Sequence, residues 1–312
     1  MQISASDGAS VAFEEFGAKN ALETGRLPVV LLHGLTQQRN YWAPVIRRLT
    51  DVGGIAVDQR GHGEASGTEV RTDSDFSMER LARDIVEVLD AADMPHAIVV
   101  GHSWGASVAL HAAARHQGRI RAAVLIDGGL FGPRHLVGPA GGHDDVREAL
   151  RPPPLGMLEP ALWQAIGQGD LAPYWSDEVR AALAPTFRVD DTGHVFSRLG
   201  MDRHMAVLDG LFDYDPAADA ADVACPVWAV VCEERSVEAD GVDRDSPESP
   251  DFPDLETAWR RARAAAVESL SPAFFLQRWY GALHDVPLQW PALVAGLIET
   301  VVERTSDPQE AR

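Results

Sequence analysis

Short, almost wholly apolar runs alternate with amphipathic stretches along the first 130 residues. Residues 27–32 (LPVVLL), 54–57 (GIAV), 96–100 (HAIVV) and 122–126 (AAVLI) read as strands covered on both faces, the environment of a parallel sheet. Residues 2–16 differ. They alternate loosely about Asp7-Gly8, a dipeptide suited to a tight turn, and predict an antiparallel pair at the start of the sheet. Residues 77–92 carry a helical period instead: Ser77 is placed to cap, Phe76 and Leu81 to staple, and Met78, Leu81, Ile85, Val88 and Leu89 form one inward stripe. Strands alternating with helices predict an α/β fold with a mostly parallel sheet.

After Asp127 the alternation stops, and about a hundred residues intervene before the next apolar run at 227–231. That excursion contains helical patterns near 160–167, 176–183 and 202–212, and a hairpin over 187–199 that turns at Asp190-Asp191-Thr192-Gly193. It is too long and too apolar for a plain loop, so it predicts a mainly helical cap at residues 131–222, with the core formed by 1–130 and 223–312. Trp163, Trp175 and Phe187, with Phe196 and Phe212, are candidates for the lining of a bulky apolar pocket; taken singly, each reads first as packing inside the cap. Residues 233–256 are rich in Asp, Glu, Pro and Ser, with Arg235 and Arg244 as their only basic residues, and predict a solvated, mobile segment. The pattern then resumes with a helix near 255–269, a strand near 273–279 and a closing helix opened by Pro291, in which Leu293, Val294, Leu297, Ile298, Val301 and Val302 share a face.

Charge narrows the partners. The 312 residues hold 47 acidic against 27 basic side chains, a formal net charge of −20. That balance argues against nucleic acid and against anionic membrane surfaces, both of which draw affinity from clustered Lys and Arg. The one long uncharged span, 94–114, is interrupted by two glycines, serines and three histidines and predicts no membrane helix. The first residues carry neither a basic start nor an apolar signal core, so a cytosolic protein is the default expectation. Cys225 and Cys232 bracket a predicted strand, which would hold them roughly 23 Å apart and exclude a disulfide between them.

The candidate chemistry centres on residues 98–106, IVVGHSWGA. An apolar strand runs into a G-x-S-x-G turn and then into an alanine-rich helix, the layout that displays a serine hydroxyl at a strand's end. Ser103 is that serine. A hydroxyl needs a base, an acid to orient the base, and donors for the developing oxyanion. The backbone N–H groups of Leu35, which follows Gly34 at the end of the 27–32 run, and of Trp104, at the start of the helix, are the candidate donors. Of 11 histidines, only His284 lies in a loop directly after the last predicted strand, and it is the candidate base. His102, expected to point opposite to Ser103's immediate neighbours, and His62, in a glycine turn, rank below it; His33 reads as a structural hydrogen-bonding residue, and Asp285 as a local turn or capping residue.

Four strings occur in order: Leu31-Leu32-His33-Gly34, Asp58-Gln59-Arg60-Gly61-His62-Gly63, Gly101-His102-Ser103-Trp104-Gly105 and His284-Asp285-Val286-Pro287-Leu288-Gln289-Trp290-Pro291. Together they resemble the alpha/beta-hydrolase superfamily over nearly the whole chain except the cap. The resemblance implies an alpha/beta-hydrolase fold with an eight-stranded, mostly parallel sheet and a cap after strand 6, with Ser103 as nucleophile and His284 as base. The acid departs from the family pattern. Pro226 begins strand 7, but Cys232 replaces the glycine that usually ends it, and Arg235 stands where an aspartate is expected. Members that carry the acid after strand 6 point to Asp127, with Gly128 and Gly129 leaving room for the imidazole; Glu234 is the alternative acid. No H-E-x-x-H, Cys-x-x-Cys or strand-linked G-x-G-x-x-G is present, so neither metal nor cofactor is expected. The activity implied is a cofactor-independent serine hydrolase that cleaves a small-molecule carboxylic ester or lactone with apolar bulk through an acyl-enzyme. Two other readings stay open: an amide or peptide hydrolase resembling proline iminopeptidases, which share Ser-Trp-Gly at this point, and a non-catalytic ligand-binding protein on the same fold.

Overall fold

The computed structural model describes residues 1–17, 25–67, 76–152, 155–233 and 253–306. Most of the acidic segment, including the alternative acid Glu234, lies outside the described residues.

The apolar runs become the centre of one eight-stranded sheet. Its strands are β1 (Gln2–Ser4), β2 (Ser10–Phe16), β3 (Val29–Leu32), β4 (Gly54–Asp58), β5 (Ala97–His102), β6 (Ile120–Ile126), β9 (Val227–Glu233) and β10 (Phe274–Tyr280), in the order β1-β2-β4-β3-β5-β6-β9-β10. The β1–β2 and β2–β4 pairs are antiparallel, while every pair from β4 to β10 is parallel. Strand alternation explains why the central runs are apolar throughout: Val30 and Leu32 of β3 enter one core cluster, and Val29 and Leu31 enter the cluster on the opposite face.

Helices α1 (Met78–Ala91) and α2 (Trp104–Arg115) cover the first of these faces, and α9 (Pro291–Ser306) covers the second. In α1 the Ser77 hydroxyl accepts the Arg80 N–H at 3.3 Å, the capping role its position predicts. Arg60, from the Asp58-Gln59-Arg60-Gly61-His62-Gly63 string, is buried and pairs with Asp84 of α1 at 2.6 Å and with Asp7 at 2.8 Å. It locks the first hairpin to α1, a structural task.

Between β6 and β9 lie α3 (His143–Ala149), α4 (Glu159–Gln168), α5 (Asp177–Leu183), the hairpin of β7 (Phe187–Val189) and β8 (Val195–Ser197), α6 (Met201–Asp213) and α7 (Pro216–Asp222). The hairpin turns where expected, with Gly193 at φ 82° and the Asp190 carboxylate accepting the Thr192 and His194 amides. The periodic pattern marked neither α3 nor α7. Both are short, and α3 buries a single residue, Val146, too little to register as a periodic stripe. α5 packs beside residues 39–42, and Gln38 donates to the Ala182 carbonyl at 3.1 Å, so part of this insertion rests on the loop that follows β3. α8 (Pro253–Glu268) follows the acidic segment, with a longer start than the pattern suggested. Cys225 and Cys232 are both free thiols.

Candidate active site

β5 ends at His102, α2 begins at Trp104, and Ser103 between them adopts φ 55°, ψ −121°. A non-glycine residue is strained there, and the surroundings hold it: the Ser103 N–H donates to the Ile126 carbonyl at 2.9 Å, fixing the turn against β6. The flanking glycines let the helix lie on the strands. A Cβ on Gly101 would sit 2.1 Å from the Gly105 carbonyl oxygen, and one on Gly105 would sit 2.4 Å from the Leu32 oxygen. Alanine at either position would push α2 off the sheet.

The structure brings Ser103, His284 and Asp127 together. The Ser103 hydroxyl lies 3.0 Å from His284 Nε2, and His284 Nδ1–H donates to Asp127 Oδ2 at 2.7 Å. The other Asp127 oxygen accepts the Cys232 N–H at 3.0 Å, and the Arg263 guanidinium lies 4.0 Å from it. Burial alone would raise the Asp127 pKa, but the hydrogen bond and charge of His284, joined by the Cys232 amide, hold it below the ordinary carboxylate value. Burial likewise works to lower the His284 pKa, but the Asp127 hydrogen bond and the charges of Asp127 and Asp285 leave it raised above 6.5.

Asp127 shares a second property with Ser103: at φ 45° it is one of only four described non-glycine residues with positive φ. Gly128 and Gly129 do not make room for the imidazole, as their position suggested. A Cβ on Gly128 would lie 2.2 Å from the Ser103 carbonyl oxygen and one on Gly129 2.8 Å from that of Ala106, so both glycines admit the elbow itself. Glu234 lies outside the described residues. Its neighbour Glu233 pairs with Arg278.

Of the two candidate oxyanion donors, Trp104 follows Ser103 directly and Leu35 follows Gly34, a neighbour of the serine in space. Gly34 packs against Ser103, its Cβ position lying 3.2 Å from the Ser103 Cβ. The Gly34 carbonyl accepts His33 Nδ1–H at 2.8 Å and the Gln37 N–H at 3.1 Å, so the Leu35 N–H, on the other side of the same planar trans peptide, points the opposite way. His33 holds this tautomer because its Nε2 accepts the Gln59 N–H at 3.2 Å, and burial keeps the ring neutral by lowering its pKa well below 6.5. Trp104 is the first residue of a twelve-residue helix, where the backbone N–H has no intrahelical acceptor. Its indole is a different matter. It is buried, 3% exposed, and stacks on His62 at 5.2 Å, so the ring lies in the core and adds no apolar surface to a substrate pocket.

Trp163, Trp175 and Phe187 meet one another in the insertion. Trp163 lies 6.2 Å from Trp175 and 5.8 Å from Phe187, ring centre to ring centre, and Arg180 covers the Trp163 face at 5.1 Å. Among the described residues, the ring of His284 packs against that of His102 and against none of these three.

Four residues around the site, two of them inside the quoted strings, make contacts that no short motif signals. Gln37 Nε2 and the Tyr41 hydroxyl both donate to Asp285 Oδ1, at 3.0 and 2.9 Å. Asp285 begins the turn before Val286–Gln289 but makes no capping bond, so its carboxylate serves this distant pair instead. His102, expected to point away, lies against His284, with the two rings 4.8 Å apart. Among the described residues, no group of three or more His, Cys, Asp or Glu side chains is arranged to hold a metal ion. No helix among them is long and apolar enough to cross a membrane.

The sheet order and the elbow define a hydrolase-type α/β architecture. The chain belongs to the alpha/beta hydrolase family: residues 28–198, more than half of its length, match the family model for the alpha/beta hydrolase fold. Among curated relatives it is similar to 2-(acetamidomethylene)succinate hydrolase of Mesorhizobium japonicum, 37% identical over 110 residues that make up 35% of this chain and 38% of the relative. It is also similar to epoxide hydrolase B of Mycobacterium tuberculosis, 39% identical over 100 residues, 31% of this chain and 28% of the relative. These matches span well under half of either relative. The solved structure of E-2-(acetamidomethylene)succinate hydrolase superposes with a TM-score of 0.68 at 22% identity, covering 97% of this chain and 98% of the other. A likeness at that identity establishes the fold and leaves the substrate open.

Proposed function

We propose that this protein is a cofactor-independent serine hydrolase that cleaves carboxylic esters or lactones through an acyl-enzyme. The observation that carries the reading is the unbroken path from Ser103 Oγ to His284 at 3.0 Å and from His284 to Asp127 at 2.7 Å. In the proposed cycle His284 takes the hydroxyl proton as Ser103 Oγ attacks the acyl carbon. The Leu35 and Trp104 N–H groups receive the oxyanion, and His284 returns the proton to the leaving alkoxide. Water, deprotonated by His284, then attacks the acyl-serine and releases the acid. Asp127 stays ionised and holds His284 with Nδ1 protonated.

The nucleophile's identity supports acyl chemistry over epoxide opening, although one relative is named for the latter. A serine that opened an epoxide would become an alkyl ether, which has no carbonyl for water to attack, and the enzyme would stall after one turnover. An acyl-serine has that carbonyl. The preference for apolar bulk rests on the Trp163, Trp175 and Phe187 group in the proposed cap, residues 131–222, and is weaker for Trp104 being buried in the core.

Reaction with a fluorophosphonate tests the nucleophile: we expect a single adduct on Ser103, and folded protein that stays unlabelled sinks the reading. A panel of aryl esters of increasing acyl length, lactones and amino-acid aryl amides then tests the substrate class. Ester or lactone turnover that rises with acyl length is expected. Turnover of the amides alone would favour an amide or peptide hydrolase.

A further inference from the structure

Three loops leave the carboxyl end of the sheet at distant points of the chain, and two side chains with no role in the proposed cycle join them. His102, fully buried, ends β5 directly before the serine. Its Nε2 lies 2.7 Å from the backbone carbonyl of His284. A carbonyl only accepts, so this nitrogen carries the proton. Burial, followed by the charge of His284, pushes the His102 pKa down to about 4, so at neutral pH the ring holds that one proton. The ring is clamped between Tyr41, stacked at 5.1 Å, and His284.

Gln37 makes the second connection. Its Oε1 accepts the Gly34 N–H at 2.9 Å and its Nε2 donates to Asp285 Oδ1 at 3.0 Å, while His102 Nδ1, which carries no proton, lies 3.3 Å from Oε1 without a hydrogen bond to it. The amide orientation follows from chemistry: Asp285 offers only acceptors and Gly34 only a donor, so a flipped amide would lose both bonds. Burial and the Asp285 charge raise the Tyr41 pKa well above 10, which leaves its hydroxyl as a permanent second donor to the same carboxylate oxygen. The elbow, through His102, and the loop of Gly34, through Gln37 and Tyr41, are thereby each tied to the loop of His284.

We propose that His102 and Gln37 are positioning residues for His284: His102 holds the base by its own carbonyl, Gln37 holds the next residue by its carboxylate, and together they set the imidazole between Ser103 and Asp127. The inference rests on the serine hydrolase reading for its catalytic meaning, but the placement of the ring can be measured without turnover. The groups that face His284 are Asp127, Asp285 and His102, with Arg263 beyond Asp127. If the ring slips from Asp127, its pKa loses the contribution that raises it.

The test is a proton and nitrogen NMR titration of His284 in wild type, His102→Met, which removes the donor, and His102→Gln, whose amide nitrogen can replace Nε2. Fluorophosphonate labelling rates are read on the same samples. In His102→Met we expect the His284 midpoint to fall, the downfield Nδ1 proton to broaden or vanish, and labelling to slow roughly 10²-fold, the cost of about an ångström of misplacement. His102→Gln restores most of each. Gln37→Leu, at a half-buried loop position, shifts the titration in the same direction and serves if His102→Met fails to fold. An unchanged His284 titration in the folded variants overturns the proposal, as does a loss that His102→Gln fails to rescue. Wild-type protein that resists the fluorophosphonate while its variants shift the titration as expected supports the positioning role and overturns the serine hydrolase reading.

Discussion

The carboxyl edge of the sheet and the insertion between β6 and β9 both hold aromatic and polar side chains suited to a site, yet they are organised in opposite ways. At the sheet edge, residues far apart in sequence converge: Ser103, Asp127 and His284 leave three different strand ends and meet through bonds of 2.7 and 3.0 Å. In the insertion, Trp163, Trp175 and Phe187 come from one continuous segment, and the Trp163 ring packs against the other two, tilted on Trp175 at 6.2 Å and edge-on to Phe187 at 5.8 Å. Parallel strands fix where loops begin, so groups at their ends are set by the register of the whole sheet. Short amphipathic helices have only each other's apolar faces to satisfy, and their aromatics pack locally.

Replacing Ser103 by Ala puts the comparison at greatest risk. It should abolish fluorophosphonate labelling and lower kcat by at least about 10³-fold while leaving thermal unfolding nearly unchanged. Residual labelling at another serine would place the chemistry elsewhere. Asp127→Asn keeps the shape but offers His284 Nδ1 an amide in place of a charge; we expect kcat to fall by about 10²- to 10⁴-fold with little change in KM. Wild-type rates in this variant would return the acid to Glu234. Trp163→Ala probes the insertion. It should destabilise by about 1–3 kcal/mol, the loss of a half-buried indole, and leave Ser103 labelling intact. A collapse of labelling instead would show that the aromatic group shapes the site directly.

The smallest effect is a shift along the pH axis. His284 must be neutral to accept the serine proton, and its pKa lies above 6.5, so kcat/KM should fall as pH drops through a midpoint above that value. In Asp127→Asn, whatever activity persists should show the limb moved to lower pH, because the charge and hydrogen bond that raise the His284 pKa are gone. A wild-type midpoint at or below 6.5 would contradict the hydrogen-bond geometry.

The strands, the first long helix, the hairpin of the insertion and the elbow were legible in the sequence, since each is written in a local pattern: an apolar run, a 3.6-residue stripe, a turn string, a glycine-flanked serine. His284 was legible through its place after the last strand. The acid was legible only as a choice of Asp127 over Glu234, because the strand-end pattern that usually marks it is absent, with Cys232 and Arg235 in its place. In the fold the Cys232 backbone amide donates to Asp127, so the strand that departs from the pattern holds the candidate carboxylate of its neighbour. Trp104 shows the reverse error: its backbone stands at the elbow, but its ring turns into the core, a direction that no motif encodes.

The chain by itself determined an α/β fold, a displayed serine and a histidine at another strand end, because covalent neighbours and short-range periodicity suffice to specify them. Only the tertiary structure decided that Asp127 reaches His284, that Gly128 and Gly129 pack against the backbone of the elbow, and that His102, Gln37, Tyr41 and Asp285 tie their loops to that of His284. The physical reason is distance along the chain. The Gln37–Asp285 bond spans 248 residues and the His102–His284 bond 182, and such contacts exist only once the register of eight strands has brought their loops to one edge.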